Sequence, residues 1–97
     1  MKKSADPELD LIKLFGSVSR VRILGFLHAF RGQSFYQREI MFRTGLTLRG
    51  VQRELSSLVA LGIVKTQKTH NRVYYEINPD SIFFNPLQDI FSSIFAE

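Results

Sequence analysis

The segment TLRGVQRELSSLVAL, Thr47 to Leu61, followed by Gly62-Ile63-Val64, decides how this chain is read. Its apolar residues Leu48, Val51, Leu55, Leu58 and Val59 recur at helical spacing and gather into one stripe. At about 100° per residue, Arg49, Gln52, Arg53 and Ser56 fall together on the opposite side. Thr47 is a good N-cap, because its hydroxyl can accept from an orphan amide of the first turn. Gly62 suits the left-handed position that ends a helix. The segment is therefore expected to be a helix with one face for a core and one basic, hydrogen-bonding face left over.

Working outward, Gln37 to Thr44 predicts a two-turn helix with Ile40 and Met41 inward, and Gly45 follows it where a positive φ is wanted. Leu46 is expected to enter the core before Thr47 opens the next helix. Helix, glycine-bearing turn, helix is the helix-turn-helix pattern. Beyond Gly62 the periodicity changes from 3.6 to 2. Ile63 to Lys68 and Val73 to Ile77 predict two strands, with Val73, Tyr75 and Ile77 on one face. Thr69 to Arg72 form the tip, where His70 and Asn71 tolerate a positive φ. One of the adjacent Tyr74 and Tyr75 rings is expected in the core.

Upstream, Asp6-Pro7 reads as a cap with proline at the first helical position. A short helix then runs to about Phe15, burying Leu11, Leu14 and Phe15, and Gly16 stops it. Ser17 or Ser19 caps a further helix, Arg20 to about Phe30, whose apolar residues cover most of its circumference. Gly25 inside that helix suggests a close crossing by another one. Ser34 to Tyr36 forms at most one small strand. Downstream, Asn78-Pro79-Asp80-Ser81 is a turn and Asn85-Pro86 starts a terminal helix. Leu87, Ile90, Phe91, Ile94 and Phe95 form its stripe, too short to fold alone. Two readings of that stripe stay open: packing on its own domain, or a two-fold interface with a second copy.

Composition sets the outer bounds. Ninety-seven residues, 44% hydrophobic, make a single domain over 1–97 with a compact interior. The absence of cysteine removes disulfides and thiolate metal sites and fits a cytoplasmic location. MKKSADPELD has no apolar run behind its lysines, so no secretory signal is expected, and no stretch of roughly 18 apolar residues exists. Two histidines, His28 and His70, lie apart in sequence, so neither a catalytic cluster nor a zinc site is expected. From Lys13 to Arg72 eleven Lys or Arg face two acids, Glu39 and Glu54, for about +9. The flanks hold two lysines against seven acids, about −5. A basic block bracketed by acidic ends is the electrostatic footprint of a polyanion binder.

Several short runs together resemble a winged helix-turn-helix DNA-binding domain of the ArsR-like and MarR-like regulators. They are Ser19-Arg20-Val21-Arg22-Ile23-Leu24, Gln37-Arg38-Glu39-Ile40, Thr44-Gly45-Leu46-Thr47, Val51-Gln52-Arg53-Glu54-Leu55, Leu61-Gly62-Ile63-Val64-Lys65 and Asn71-Arg72-Val73-Tyr74-Tyr75. The chain is also similar to small, mostly prokaryotic regulators whose domain sometimes precedes a nucleotidyltransferase domain. The likeness spans about residues 9 to 91 and rests on the order and spacing of the runs. It departs at His70, where such wings often carry glycine, and in lacking the cysteine ligands of metal-sensing members.

The expected fold is α+β, mainly helical with a small hairpin wing, in the order α-α-(β)-α-α-β-β-α. The resemblance implies a dimeric, sequence-specific regulator of double-stranded DNA, without catalysis, cofactor or membrane. Arg49, Gln52, Arg53 and Ser56 would lie in the major groove, whose base edges match Arg and Gln. Thr47 and Arg38 would anchor phosphates. Lys65, Lys68, His70, Asn71 and Arg72 on the wing would touch backbone or minor groove. Leu87, Ile90, Phe91, Ile94 and Phe95 would form the dimer seam if they do not pack internally. A protein-interaction module, or an accessory domain acting with a nucleotidyltransferase, are the competing readings.

Overall fold

A computed structural model describes residues 6–95, with side chains over residues 6–93. The elements are α1 (Pro7–Phe15), α2 (Val18–Ala29), α3 (Gln37–Thr44), α4 (Leu48–Ala60), β1 (Val64–Thr69), β2 (Arg72–Ile77) and α5 (Phe84–Phe95). This is the expected helical architecture with a two-stranded antiparallel hairpin. Asp6 caps α1 by accepting from the Leu9 amide at 3.1 Å, and Gly16 ends it at φ 74°. Ser17, not Ser19, caps α2, accepting from the Arg20 amide at 3.0 Å.

The core forms around α2, which touches α1, α3, α4, α5 and β2. Val21, Ile23, Leu24, Leu27 and His28 are all buried, so most of this helix's circumference faces the interior. Val51, Leu55 and Leu58 of α4 reach it fully buried, and Ile40, Ile63, Val64 and Ile77 complete the interior. Each such side chain contributes roughly 1.5–3 kcal/mol of transfer free energy. Two expected core residues stay outside: Leu14 is 70% exposed and Val59 is 37% exposed. Both lie at the edge of their helical stripes, away from the buried residues of the same helix.

The hairpin pairs Val64 with Ile77 at its base and Thr69 with Arg72 at its tip, leaving a two-residue turn. His70 takes a φ of 55° there, which explains how a wing without glycine closes. The strand expected at Ser34 to Tyr36 is reduced to one bridge, Phe35 to Tyr75. That bridge exchanges both hydrogen bonds, at 2.9 and 2.7 Å, so the wing is tied to the segment before α3. Asn78 fastens the base from the other side. Its amide donates to Ile63 O at 2.8 Å and its side chain to Gly62 O at 3.0 Å.

The terminal helix begins at Phe84, one residue before the expected Asn85-Pro86 start, because Ser81 supplies the entry turn. Pro86 then sits in the first turn, where a missing N–H leaves no bond unmade. Leu87 and Phe91 are 7% and 5% exposed within their own chain. Phe91 lies 3.5 Å from where a Cβ on Gly25 would stand, stacks on His28 and runs parallel to Phe15. The seam expected from Leu87 and Phe91 is therefore corrected: both are committed to the internal core, because α2 offers a glycine groove for the ring. Ile90 is half-buried, and the expected roles of Ile94 and Phe95 lie outside the described side chains.

His28 holds α5 from the α2 side. Its Nδ1 lies 2.8 Å from Gln88 Oε1, while its Nε2 is buried with no hydrogen-bond partner among the described residues. Burial lowers its pKa from the ordinary 6.5; Gln88 opposes the shift and Arg31 adds to it. The neutral ring is thus the native form, and the unfolded chain binds a proton first. Its stabilisation is complete above pH 6.5 and is lost as pH falls below that value toward the lowered native pKa. Denaturant midpoints should drop between about pH 7.5 and about pH 5.5, and His28→Leu should flatten that slope. Gly25→Ala should raise stability by about 1 kcal/mol in the same assay, since 3.5 Å is ordinary contact and alanine favours the helix. Gly25→Leu should lower it by displacing Phe91.

Candidate nucleic-acid interface

The α4 helix begins at Thr47, whose hydroxyl accepts from the Gly50 amide at 3.1 Å. Gly45, at φ 73°, ends α3 with its amide on Met41 O at 3.0 Å, and Leu46 packs against the core. This three-residue turn sets the α4 axis, and burial of Val51, Leu55 and Leu58 sets its rotation. Arg49, Gln52, Arg53 and Ser56 consequently face outward, all exposed. This outer face of α4 is solvent-exposed.

Its electrostatics follow from where the two nearby acids go. Glu54 is 8% exposed and turned inward, accepting from Arg20 Nε at 2.5 Å. Glu39 bends back to accept from the Tyr36 amide at 3.0 Å, capping α3. Among the described residues the ion pairs are Arg20–Glu54 and Arg22–Glu8. Neither involves Arg38, Arg49, Arg53, Lys65 or Lys68, although Lys65 stands opposite Glu76 in the hairpin register. Arg43 is used differently: its guanidinium lies over the Phe26 and Phe30 rings, 5.2 and 5.0 Å from their centroids.

The wing stands beside this face. Lys65, Lys68, His70 and Asn71 are exposed along β1 and at the tip. Arg72 behaves otherwise than expected: its guanidinium lies over the Tyr36 ring at 4.3 Å, and Tyr36 meets Tyr74 edge-on at 6.1 Å. Interaction with the Tyr36 phenol first, and with Tyr74 second, raises the Arg72 pKa above its ordinary value. A groove of about 400 Å³ runs between the start of α3 and the wing. Arg38, Asn71 and Arg72 line it together with Tyr36, Gln37 and Tyr75. The structure thus brings three of the expected residues, one from α3 and two from the wing, to a single concave surface.

Two contacts were not visible in sequence. Gln52 Nε2 donates to Gln37 Oε1 at 3.3 Å, and Gln37 Nε2 donates to the Tyr75 phenol at 3.0 Å. Their separations of 15 and 38 residues carry no periodic signal, so only the folded geometry shows them. Tyr75 is also the half-buried ring packed on the core, as one of the tyrosine pair was expected to be. No group of three or more His, Asp or Glu side chains among the described residues could hold a metal. No helix among them is long and apolar enough to cross a membrane.

No protein-family model matches the chain, and no relative is found among curated proteins. Solved structures do match over nearly the whole length. Reduced HlyU from Vibrio cholerae superposes with a TM-score of 0.68 at 20% identity, covering 94% of this chain and 90% of that one. A structure described as a predicted DNA-binding transcriptional regulator from E. coli gives 0.64 at 21% identity, covering 89% and 83%. The homodimeric winged helix-turn-helix DNA-binding domain of Mb0332 from Mycobacterium bovis, described as a possible ArsR-family transcriptional regulator, gives 0.59 at 21% identity, covering 97% and 86%. The fold of this chain is the winged helix-turn-helix.

Proposed function

We propose that this protein is a homodimeric transcriptional regulator that binds double-stranded DNA sequence-specifically. In this reading α4 enters the major groove with Arg49, Gln52, Arg53 and Ser56. The hairpin follows the backbone or minor groove with Lys65, Lys68, His70 and Asn71. The observation that carries the proposal is the outward face of α4: exposed, cationic, hydrogen-bonding, and with both neighbouring acids engaged elsewhere. Arg38 at the α3 start and Thr47 at the α4 start suit phosphate contacts, since helix N-termini favour anions. Arg72, lying on Tyr36, supplies charge to the groove rather than reaching from the tip.

Homodimerisation is supported by the apolar surface that α1 and α5 leave uncovered. Leu14 and Leu9 are 70% and 46% exposed, and Leu14 and Ile90 line one open apolar groove. The structurally similar Mb0332 domain is described as homodimeric. A two-fold pair would set its α4 helices about 34 Å apart, one turn of DNA. A cytoplasmic, non-enzymatic role accords with this reading. The accessory role beside a nucleotidyltransferase, and the protein-interaction role, have no contact here that favours them over DNA.

Selection of duplexes from a random pool at physiological salt tests the proposal directly, because affinity without its salt concentration carries little meaning. Alanine at Arg49 or Arg53 should cost about 1–3 kcal/mol on the preferred site and relax specificity. Equal losses on random DNA would reduce them to phosphate contacts. Ile90→Glu should give monomers in sedimentation while the fold survives; an intact dimer would place the seam elsewhere. Phe91 is unsuitable for that test, since a charge there would break its own core.

A further inference from the structure

We infer that Gln37 is a positioning residue for base readout, holding the Gln52 side chain in one orientation from a brace anchored on the wing. This rests on the DNA-binding reading above and assigns within it a role that the exposed face of α4 does not by itself reveal. A glutamine on a helix surface has three rotatable side-chain bonds, and fixing such a side chain costs about 0.5–1.5 kcal/mol. A residue that reads a base from a single orientation benefits if the fold has already fixed it.

The geometry supplies that restraint in consecutive steps. Tyr75 is held at its backbone by the two-way bridge to Phe35, at 2.9 and 2.7 Å. Its ring packs half-buried on the core, so its phenol oxygen has a defined position. Gln37, the first residue of α3, donates to that oxygen at 3.0 Å, and its own carbonyl oxygen accepts from Gln52 Nε2 at 3.3 Å. Both ends of the Gln37 amide are therefore occupied within the protein. Gln52 gives up one of its two amide hydrogens and keeps its Oε1 and the other hydrogen. One acceptor beside one donor is the pair that adenine N6 and N7 require in the major groove. Gln37 consequently restrains the reading group without consuming the atoms that would read.

The brace also joins three elements that a duplex would touch separately: the start of α3, the outer face of α4, and the wing. Removing the phenol oxygen should therefore be felt at α4, although Tyr75 itself lies on the hairpin. A side chain that merely filled space would not transmit that change to a single base-pair position.

The test compares Gln37→Ala, Tyr75→Phe and Gln52→Ala, with the doubles, on the selected duplex, on that duplex substituted at each position, and on random DNA. Tyr75→Phe keeps the ring in the core and so guards against a trivial folding defect. Gln52→Ala first identifies the base pair whose preference depends on Gln52. Gln37→Ala should relax preference at that same position by about three- to tenfold, and Tyr75→Phe by about two- to threefold. Random-duplex affinity should stay within about twofold. In the Gln52→Ala background neither change should have any further effect. Additive effects, or uniform losses on all duplexes, would overturn the role and make Gln37 a phosphate contact. A DNA-free readout separates the two layers of the claim: the Gln52 side-chain amide resonances should shift in both Gln37→Ala and Tyr75→Phe. Unmoved resonances overturn the inference whatever the protein does with DNA. Shifted resonances in a chain that binds no duplex overturn the DNA reading, and the readout role with it.

Discussion

The contact on which the other arrangements depend is the burial of the inner stripe of α4 against α2, with Arg20–Glu54 set in its seam. Val51, Leu55 and Leu58 have no exposure left, so the rotation of α4 about its axis is not adjustable. Glu54 falls on the same inner side by helical period, and Arg20 meets it there at 2.5 Å. A carboxylate buried without that partner would cost several kcal/mol, and one turned outward would sit among Arg49 and Arg53 and weaken their field. The pair therefore has two effects. It satisfies the charge inside, and it keeps the outer side of the helix of one sign.

Much of this was readable from residues whose signal is local. Thr47, Gly45, Gly16 and Gly62 mark caps and left-handed positions, and each takes the conformation its chemistry suggests. The α4 stripe and the switch to alternation after Gly62 likewise needed only a window of neighbours. The failures have a common physical origin: they depend on which other element arrives. Leu14 has the right spacing for burial, but it lines an open groove with Ile90 and stays 70% exposed. Leu87 and Phe91 announced an apolar face without naming its cover, and the cover proved to be the glycine-lined side of α2. Gly25 did forecast a close helix crossing, because a glycine inside a buried helix has few other uses.

The candidate site divides along the same line. Exposure of Arg49, Gln52, Arg53 and Ser56 followed from helical period alone. The diversion of Arg72 onto Tyr36, of Glu39 onto its own helix start, and the Gln52–Gln37–Tyr75 chain all join residues that sequence separation hides. A charge count over a stretch of sequence thus overstates some cations and understates others. Of the central basic residues, Arg20 and Arg22 are paired and Arg43 lies on aromatic rings, while Arg38, Arg49, Arg53, Lys65 and Lys68 are not paired among the described residues. The local field is sharper than the total charge suggests.

The single bridge between Phe35 and Tyr75, small as it is, joins the hairpin and the helices into one unit. The hairpin is fastened there to the chain entering α3 and again at its base through Asn78. In the proposed DNA-binding role, hairpin and helices would meet the duplex at a spacing set during folding. The entropy of ordering them is lost before any encounter, which favours a partner of matching shape and disfavours one that would require the wing to swing.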